Sequence, residues 1–366
     1  MKLTDHFDGF LKNKVNLSDG RIAALDSHVE AVTKFLSTGE DAIATNFNEL
    51  IPQGSYAQRT IINAVGSGDE FDADVLLDMD EVDDWDAEEY VENLYSAFRA
   101  SSTYKDMVGR KSRCVTVNYA GDFHMDVVPY LTRHGEHYIT NRNQNQYERT
   151  NPEGFNEWLD EQNRITGGNR LVKVIRLLKY VRDFKNTFSV KSVILTILLG
   201  ERVSSTVIMA DPDHYKDLPT ALLNLMTDLN TYLQANPTMP SIDDPSCPGE
   251  NFNHRWDQEQ YANFRSKIAT YTGWAEDAYF ETDREESYRK WRKLFGDKFG
   301  TYSTAGATLA VAHRGLPGVR DTEEFIEDRF AVSINPHYRV KLQGRTLRRN
   351  GWRNYTLAER GNIVDP

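Results

Sequence analysis

From position 18 to 37 the apolar residues Ile22, Leu25, Val29, Val32 and Leu36 return every three or four positions. That spacing predicts an amphipathic helix over 18–37, with Ser18 or Asp19 as its cap and Gly39 as its stop. A second helix is predicted over 84–102 from Tyr90, Val91, Leu94 and Phe98. Residues 45–80 read as the first strands, joined by a loop at Val65-Gly-Ser-Gly-Asp-Glu70. Val115, Val117 and Tyr119 alternate along a further strand. Phe123, Met125 and Val127 alternate along the next, with Asp126 on its opposite face. The link Ala120-Gly-Asp122 is too short for a crossover, so the sheet is antiparallel or mixed at this point.

After about residue 150 the pattern turns helical. One helix opens at Asn151-Pro-Glu-Gly, and others are expected over 168–183, 189–199, 218–233, 258–280 and 284–295. A loop with four prolines separates two of them over 236–251. From Phe325 the chain becomes strand-like again, at 330–336 and 338–343. The expected fold class is therefore α+β. Residues 1–150 carry the sheet and the helix over 18–37, residues 151–324 form a helical domain, and residues 325–366 form a basic tail.

Composition narrows the function. A length of 366 residues with 18 Tyr and 17 Phe suffices for about two domains with a sizeable core. The formal net charge of −12 argues against tight, sequence-independent DNA binding, which wants a basic surface. Two cysteines, Cys114 and Cys247, offer no metal-ligand spacing and suit a reducing cytoplasm. No stretch reaches the ~18 apolar residues of a membrane span, and the N-terminus has no signal-peptide core. The acidic run Asp83, Asp84, Asp86, Glu88 and Glu89 is expected to complement a helix dipole rather than bind metal. Arg339, Lys341, Arg345, Arg348, Arg349, Arg353 and Arg360 gather in the tail. They read as a contact for RNA, nucleotide or a partner protein, or as a solvated edge strand blunted by charge; the second is preferred.

Three segments carry the candidate chemistry. Pro52-Gln-Gly-Ser-Tyr-Ala-Gln-Arg59 is a glycine-serine turn. Phe71-Asp-Ala-Asp-Val-Leu-Leu-Asp78 is a strand with Asp72 and Asp74 on one side, because residues at i and i+2 of a strand share a face. Asp126 lies in the downstream strand. Nucleotidyl transfer needs an attacking hydroxyl and a pyrophosphate leaving group, and two Mg²⁺ ions can serve both. Mg²⁺ prefers hard oxygen ligands, so Asp72, Asp74 and Asp126 are the expected metal and catalytic residues. Gly54 lets the backbone approach a triphosphate, and Ser55 adds a backbone N–H and a hydroxyl. Lys179 is expected on a polar helix face with Lys173, Arg176 and Arg182, one of which reaches the β- or γ-phosphate. Ser189, at the expected start of the next helix, can donate to the same phosphates. Asp78 and Asp80 continue the register but lie too far along the strand. His124 shares the face of Asp126 and reads as a hydrogen-bonded neighbour. The remaining histidines form no zinc cluster.

These residues resemble the CD-NTases, bacterial cyclic-oligonucleotide synthases related to cyclic GMP-AMP synthase and oligoadenylate synthase. The resemblance rests on Gln53-Gly-Ser-Tyr, Asp72-Ala-Asp74, Asp126, Leu177-Leu-Lys-Tyr-Val-Arg182 and Phe188-Ser-Val-Lys-Ser192. It spans most of residues 1–300 through few specific positions. It implies a polymerase-β-like nucleotidyltransferase core joined to a helical domain, with the active site in the cleft between. It also implies that Gln53 and Ser55 hold the donor nucleotide, that Lys179 and Ser189 hold its triphosphate, and that the three aspartates hold Mg²⁺ or Mn²⁺. The expected product is a cyclic dinucleotide made from ATP and GTP, which activates a separate effector in antiphage signalling. A cyclic trinucleotide, linear transfer to an RNA, protein or small-molecule acceptor, and a non-catalytic nucleotide sensor are the alternatives. A regulatory partner is compatible with all of them. The spacing from Ser55 to Asp72 departs from many relatives by an extra loop at Gly66-Ser-Gly68. Residues 324–330 and the basic segment after them resemble the entry to a C-terminal sensor domain, absent or cut short here.

Overall fold

The alternating segments pair into one mixed sheet of seven strands: β1 (Phe47–Gln53), β2 (Phe71–Met79), β3 (Val108–Arg110), β4 (Val115–Tyr119), β5 (Phe123–Arg133), β6 (Glu136–Asn141) and β7 (Gln146–Arg149). This computed structural model describes residues 1–65, 71–119, 123–301, 343–348, 351–357 and 363–364. The chain divides into two units, Met1–Ala331 and Val332–Pro366. The seven-stranded sheet belongs to the first. Its strand order is β1-β2-β5-β4-β3, with β6 joined to β5 and β7 to β6. Only β2 and β5 run parallel; every other pair in the sheet is antiparallel. The β4–β5 pair is antiparallel, as the short link between them requires.

Helices cover one face of this sheet and continue beyond it. α1 (Thr4–Phe10) runs into a π-turn at Leu11–Val15, and α2 (Asp19–Ser37) follows. Ser18 caps α2 by accepting from the Arg21 amide. Leu25, Val29, Val32 and Leu36 of α2 are buried as their spacing predicts, but Ile22 is 41% exposed, because the contact with the sheet begins one turn later. The short turns α3 (Ala42–Thr45) and α4 (Gly54–Ala57) flank β1. α5 (Ala87–Ala100) starts at a capping box in which Asp86 and Glu89 each satisfy a backbone N–H of the other. The acidic run over 83–89 is thus a helix start. The odd-numbered side chains Phe71, Ala73, Val75 and Leu77 of β2 and Phe123, Met125 and Val127 of β5 are buried in one core with α2 and α5. The even-numbered side chains of both strands are left for the other face.

The later helices are α6 (Pro152–Thr166), α7 (Arg170–Lys185), α8 (Ser192–Gly200), α9 (Ser205–Ala210), α10 (Leu218–Ala235), α11 (Gln258–Phe280) and α12 (Arg284–Phe295). α8 is buried from Ile194 to Gly200, the mark of a helix enclosed on all sides. Phe7, Phe10, Leu11 and Val15 join this helical core rather than the sheet core. Phe7 meets Trp291 and Phe299 edge-on at ring-centroid distances of 4.9 Å. Such pairs add about 0.5–1.5 kcal/mol to the burial itself, so the start of the chain is firmly fastened to α12. No helix among the described residues is long and apolar enough to cross a membrane.

The second unit holds β8 (Gln343–Arg348), β9 (Gly351–Leu357) and β10 (Ile363–Val364), antiparallel in the order β10-β9-β8. Arg345, Arg348 and Arg353 lie on these strands. The strand expected over 330–336, all but Gln343 of the one over 338–343, the residues Arg339, Lys341, Arg349 and Arg360, and the Gly66-Ser-Gly68 loop fall outside the described residues.

Candidate active site

The turn after β1 meets the acids through strand pairing. Gln53, the last residue of β1, is the register partner of Asp74 on β2. Gly54 then takes φ +57°, a left-handed conformation that costs other residues about 1 kcal/mol or more. A Cβ at this position would stand 2.9 Å from Asp74 Oδ2. Two independent constraints, backbone angle and space, therefore favour glycine. The turn is held from both sides. Tyr56 Oη donates to Asp26 Oδ1 of α2 at 2.6 Å, and the Thr60 carbonyl accepts from Lys179 Nζ of α7 at 2.7 Å. The Ser55 carbonyl accepts from the amides of Thr60 and Ile61, closing the loop on itself.

Parallel pairing of β2 with β5 sets Asp72 beside His124 and Asp74 beside Asp126. All four share the even face. Along that face the polar grid gives way to a small apolar floor of Leu76, Val128, Tyr130 and Cys114. Burial pushes the Asp74 carboxyl up to about 6, and the charges of Asp126 and Asp72 push the same way, against Lys111 and Lys179. Asp126 is anchored by its own neighbours. Thr116 Oγ1, its register partner on β4, donates to Oδ1 at 2.5 Å, and Lys111 Nζ donates to both oxygens at 2.9 and 3.1 Å. Asn118 sits beside His124 in the same way. Its side-chain N–H donates to the Met107 carbonyl, and its Oδ1 accepts from His124 Nδ1 at 2.7 Å. His124 is thus a hydrogen-bonded member of the grid.

The lysine helix differs from expectation. Lys179 is not on a solvated face. It is 4% exposed, because α7 runs through the middle of the helical core with Leu177, Leu178, Tyr180 and Val181 buried around it. Burial and the nearby Arg182 lower its pKa to about 7, while Asp183 and Asp74 oppose the shift. Two of the other α7 cations are also held by the fold: Arg176 donates to Asn16 Oδ1, and Arg182 to the Val190 carbonyl and Ser192 Oγ. Ser189 does not start a helix. α8 begins at Ser192, and Ser189 is an exposed loop residue whose carbonyl accepts from Trp256 Nε1 at 3.0 Å. The structure therefore brings together Gln53, Gly54, Asp72, Asp74 and Asp126, places Lys179 within electrostatic reach of Asp74, and leaves Ser189 on the connecting loop.

Lys111, Thr116 and Arg255 belong to this neighbourhood without a motif to announce them. Arg255, in the short turn Asn253–Arg255, acts on Asp74 through space. Thr116 has a weak signal, as a polar residue between Val115 and Val117. Lys111 has none beyond its place in a basic turn, Arg110-Lys-Ser-Arg113.

A sequence profile of the Second Messenger Oligonucleotide or Dinucleotide Synthetase domain matches residues 1–163, the span that carries the turn and all three acids. Residues 1–163 are therefore similar to that family of synthetases. A c-di-GMP synthase of Roseivirga ehrenbergii is 32% identical over 155 residues, which is 41% of either chain. A cyclic AMP-AMP-AMP synthase of Acinetobacter is 25% identical over 178 residues, 48% of this chain and 50% of that one. The matches thus span half or less of these relatives. Solved structures match over more of the chain. The CD-NTase CdnG of Bradyrhizobium diazoefficiens, in complex with GTP, gives a TM-score of 0.64 at 20% identity, covering 82% of this chain and 95% of that one. CdnC of E. coli MS115-1 with ATP gives 0.63 at 18% identity, covering 81% and 98%. These likenesses show the polymerase-β-like CD-NTase fold: a mixed sheet with helices, carried through the helical part of the chain.

Proposed function

We propose that this protein is a divalent-metal-dependent nucleotidyltransferase that joins two purine nucleotides, ATP and GTP, into a cyclic dinucleotide. The observation that carries this reading is the pairing of Asp74 with Asp126, with Gly54 pressed against the Asp74 carboxylate. The donor set fits a hard divalent ion. Asp72, Asp74 and Asp126 are three carboxylates on adjacent strands; burial first, and then the charges of Asp126 and Asp72, raise the Asp74 pKa, and a lysine ammonium already sits on Asp126. Among the described residues no three acidic, His or Cys groups form a ready-made cage. Substrate phosphates are expected to complete the coordination, as is usual for Mg²⁺. A bound Mg²⁺ or Mn²⁺ supplies charge stabilisation for the attacking hydroxyl and the leaving pyrophosphate.

The protein's own residues supply position. Gln53, Gly54 and Ser55 hold the donor nucleotide against the acid strand, and Asp126 draws the proton from the attacking hydroxyl. The same step, run a second time on the linear intermediate, closes the ring and releases a second pyrophosphate. The relatives named for c-di-GMP and for cyclic AMP-AMP-AMP leave the product size to experiment. The product is expected to activate a separate effector in antiphage signalling. Two free, buried cysteines suit the cytoplasm as the place of action. The similar CdnC has been solved in complex with a HORMA protein, which supports a regulatory partner here.

Incubation with labelled ATP and GTP plus Mg²⁺ or Mn²⁺, with mass spectrometry after phosphatase treatment, tests the reading. A phosphatase-resistant cyclic product is expected from the wild type and none from the Asp72→Asn, Asp74→Asn pair. Equal product from both would refute the site.

Lys179 makes a second prediction. Its pKa of about 7 leaves it mostly neutral at pH 8, and a triphosphate beside it raises that value. Nucleotide binding at pH 8 should therefore take up a proton, measured by calorimetry in buffers of differing ionisation enthalpy. Lys179→Met should abolish the uptake and raise KM about tenfold to hundredfold, the weight of a charged hydrogen bond. Equal uptake in both proteins would remove Lys179 from the phosphate site. Ser189 is proposed to donate to the same phosphates from its exposed loop.

A further inference from the structure

Lys111 plays no part in the reaction above, yet its ammonium is the cation in closest contact with Asp126 among the described residues. It follows Arg110, the last residue of β3, in the hairpin that leads to β4, and its backbone N–H donates to the Cys114 carbonyl at 2.9 Å. The hairpin is therefore closed at its base, and the long side chain extends from it. That side chain spans to Asp126 and contacts both carboxylate oxygens, at 2.9 and 3.1 Å.

The two ends of this ion pair are unequal. The Asp126 side chain is 16% exposed and is also held by Thr116, so the carboxylate is built into the sheet. The Lys111 side chain is 57% exposed and enters from solvent. Asp126 also lies beside Asp74 in the strand register, where like charges gather and a cation is wanted. We propose that Lys111 is a displaceable internal counter-cation: its ammonium occupies Asp126 in the metal-free protein and yields that carboxylate to a divalent ion. The proposal rests on the reading of Asp72, Asp74 and Asp126 as a divalent-cation site. A carboxylate has about four lone-pair sites. Thr116 takes one on Oδ1 and the ammonium takes one on each oxygen, which leaves one on Oδ2; a divalent ion bound there repels the ammonium on the same oxygen, so the metal competes with Lys111 and not with the neutral Thr116. The ion carries twice the charge and wins when nucleotide phosphates bring it in. Until then the lysine holds Asp126 in place and makes loading of metal alone less favourable.

The test is Mn²⁺ binding, not turnover. Free Mn²⁺ is followed by electron paramagnetic resonance during titration of the wild type, Lys111→Met, Lys111→Arg and the Asp72→Asn, Asp74→Asn pair, alone and with a non-hydrolysable ATP analogue. Removing a half-exposed competing cation should tighten Mn²⁺ binding about threefold to fivefold in Lys111→Met, whereas Lys111→Arg stays near the wild type. Metal-free Lys111→Met should melt below the wild type, and Mn²⁺ should raise its melting temperature by more. Lys111→Gln, also uncharged, must repeat the tightening, which separates loss of charge from a packing defect. Unchanged or weaker Mn²⁺ affinity in both uncharged variants, with binding still lost in the aspartate pair, would overturn the counter-cation while leaving the acid site standing. A wild type that binds no Mn²⁺ beyond what the analogue alone holds would overturn both.

Discussion

Asp74→Asn is expected to lower nucleotidyl transfer on the order of 10³-fold and, in the same protein without metal, to raise the melting temperature above pH 6. The first effect follows from removing a carboxylate that the proposed divalent ion needs, where several kcal/mol of charge stabilisation are at stake and each 1.36 kcal/mol is a factor of ten. The second follows from the pKa. The carboxyl titrates near 3.8 when unfolded and near 6 in the folded chain, because burial and the Asp126 and Asp72 charges disfavour its ionised form. The folded chain therefore holds this proton more tightly than the unfolded chain. Stability falls as pH rises from about 4 to about 6 and is level above. An amide does not ionise, so the variant escapes this loss and gains over the wild type through that window, by about 3 °C once partial solvent access is allowed for. Melting curves at pH 4.5 and pH 8 in the presence of a chelator, with product assays beside them, check both halves. Retained activity within tenfold, or a variant that melts lower than the wild type at pH 8, would contradict the assignment. The pairing of lost activity with gained stability is what a residue kept for chemistry should show.

Gly54→Ala is the second large expected effect, a loss of about 10² in kcat/KM with the fold retained. Alanine at φ +57° carries a strain of about 1 kcal/mol, and its Cβ would press on Asp74 Oδ2 from 2.9 Å. The yielding group is the end of the Asp74 side chain. The cost therefore appears in the geometry of the acids more than in unfolding, and displacements of this kind cost about 10²-fold. A double-mutant cycle discriminates: if Gly54 acts through Asp74, adding Gly54→Ala to Asp74→Asn should lower activity little further. Full additivity would mean that the turn acts on the nucleotide independently of the acid. Circular dichroism and a melting temperature within a few degrees of the wild type would confirm that the loss is local.

Much of this site is legible in the amino-acid sequence. Alternation along 71–78 and 123–131 places the three aspartates opposite the apolar side chains, and that is where they stand. Helix bounds follow from caps and periodicity, and those of α11 and α12 agree to the residue. The helix over 18–37 loses only Ile22, because periodicity gives the direction of a face and not how far the opposing sheet extends beneath it. Lys179 is harder. Lys173, Arg176, Lys179 and Arg182 look like a solvated stripe, and nothing local distinguishes the one whose stem runs into a core. Its burial depends on the neighbouring helices and on the Thr60 carbonyl, more than a hundred positions away in the chain.

The division between sequence and structure follows the range of the forces involved. By itself the sequence determined what repeats within a few residues: helix faces, strand faces, the glycine turn and the identity of the acids, because 3.6- and 2-residue periods are properties of the local backbone. Tertiary structure decided what depends on register between distant segments. It set Asp74 beside Asp126 rather than a neighbour, brought Gly54 against Asp74, buried Lys179, and laid Lys111 across Asp126. A slip of one residue between β2 and β5 would turn the acids toward the apolar core under α2 and α5. The packing of that core selects the register, and through it the chemistry of the opposite face.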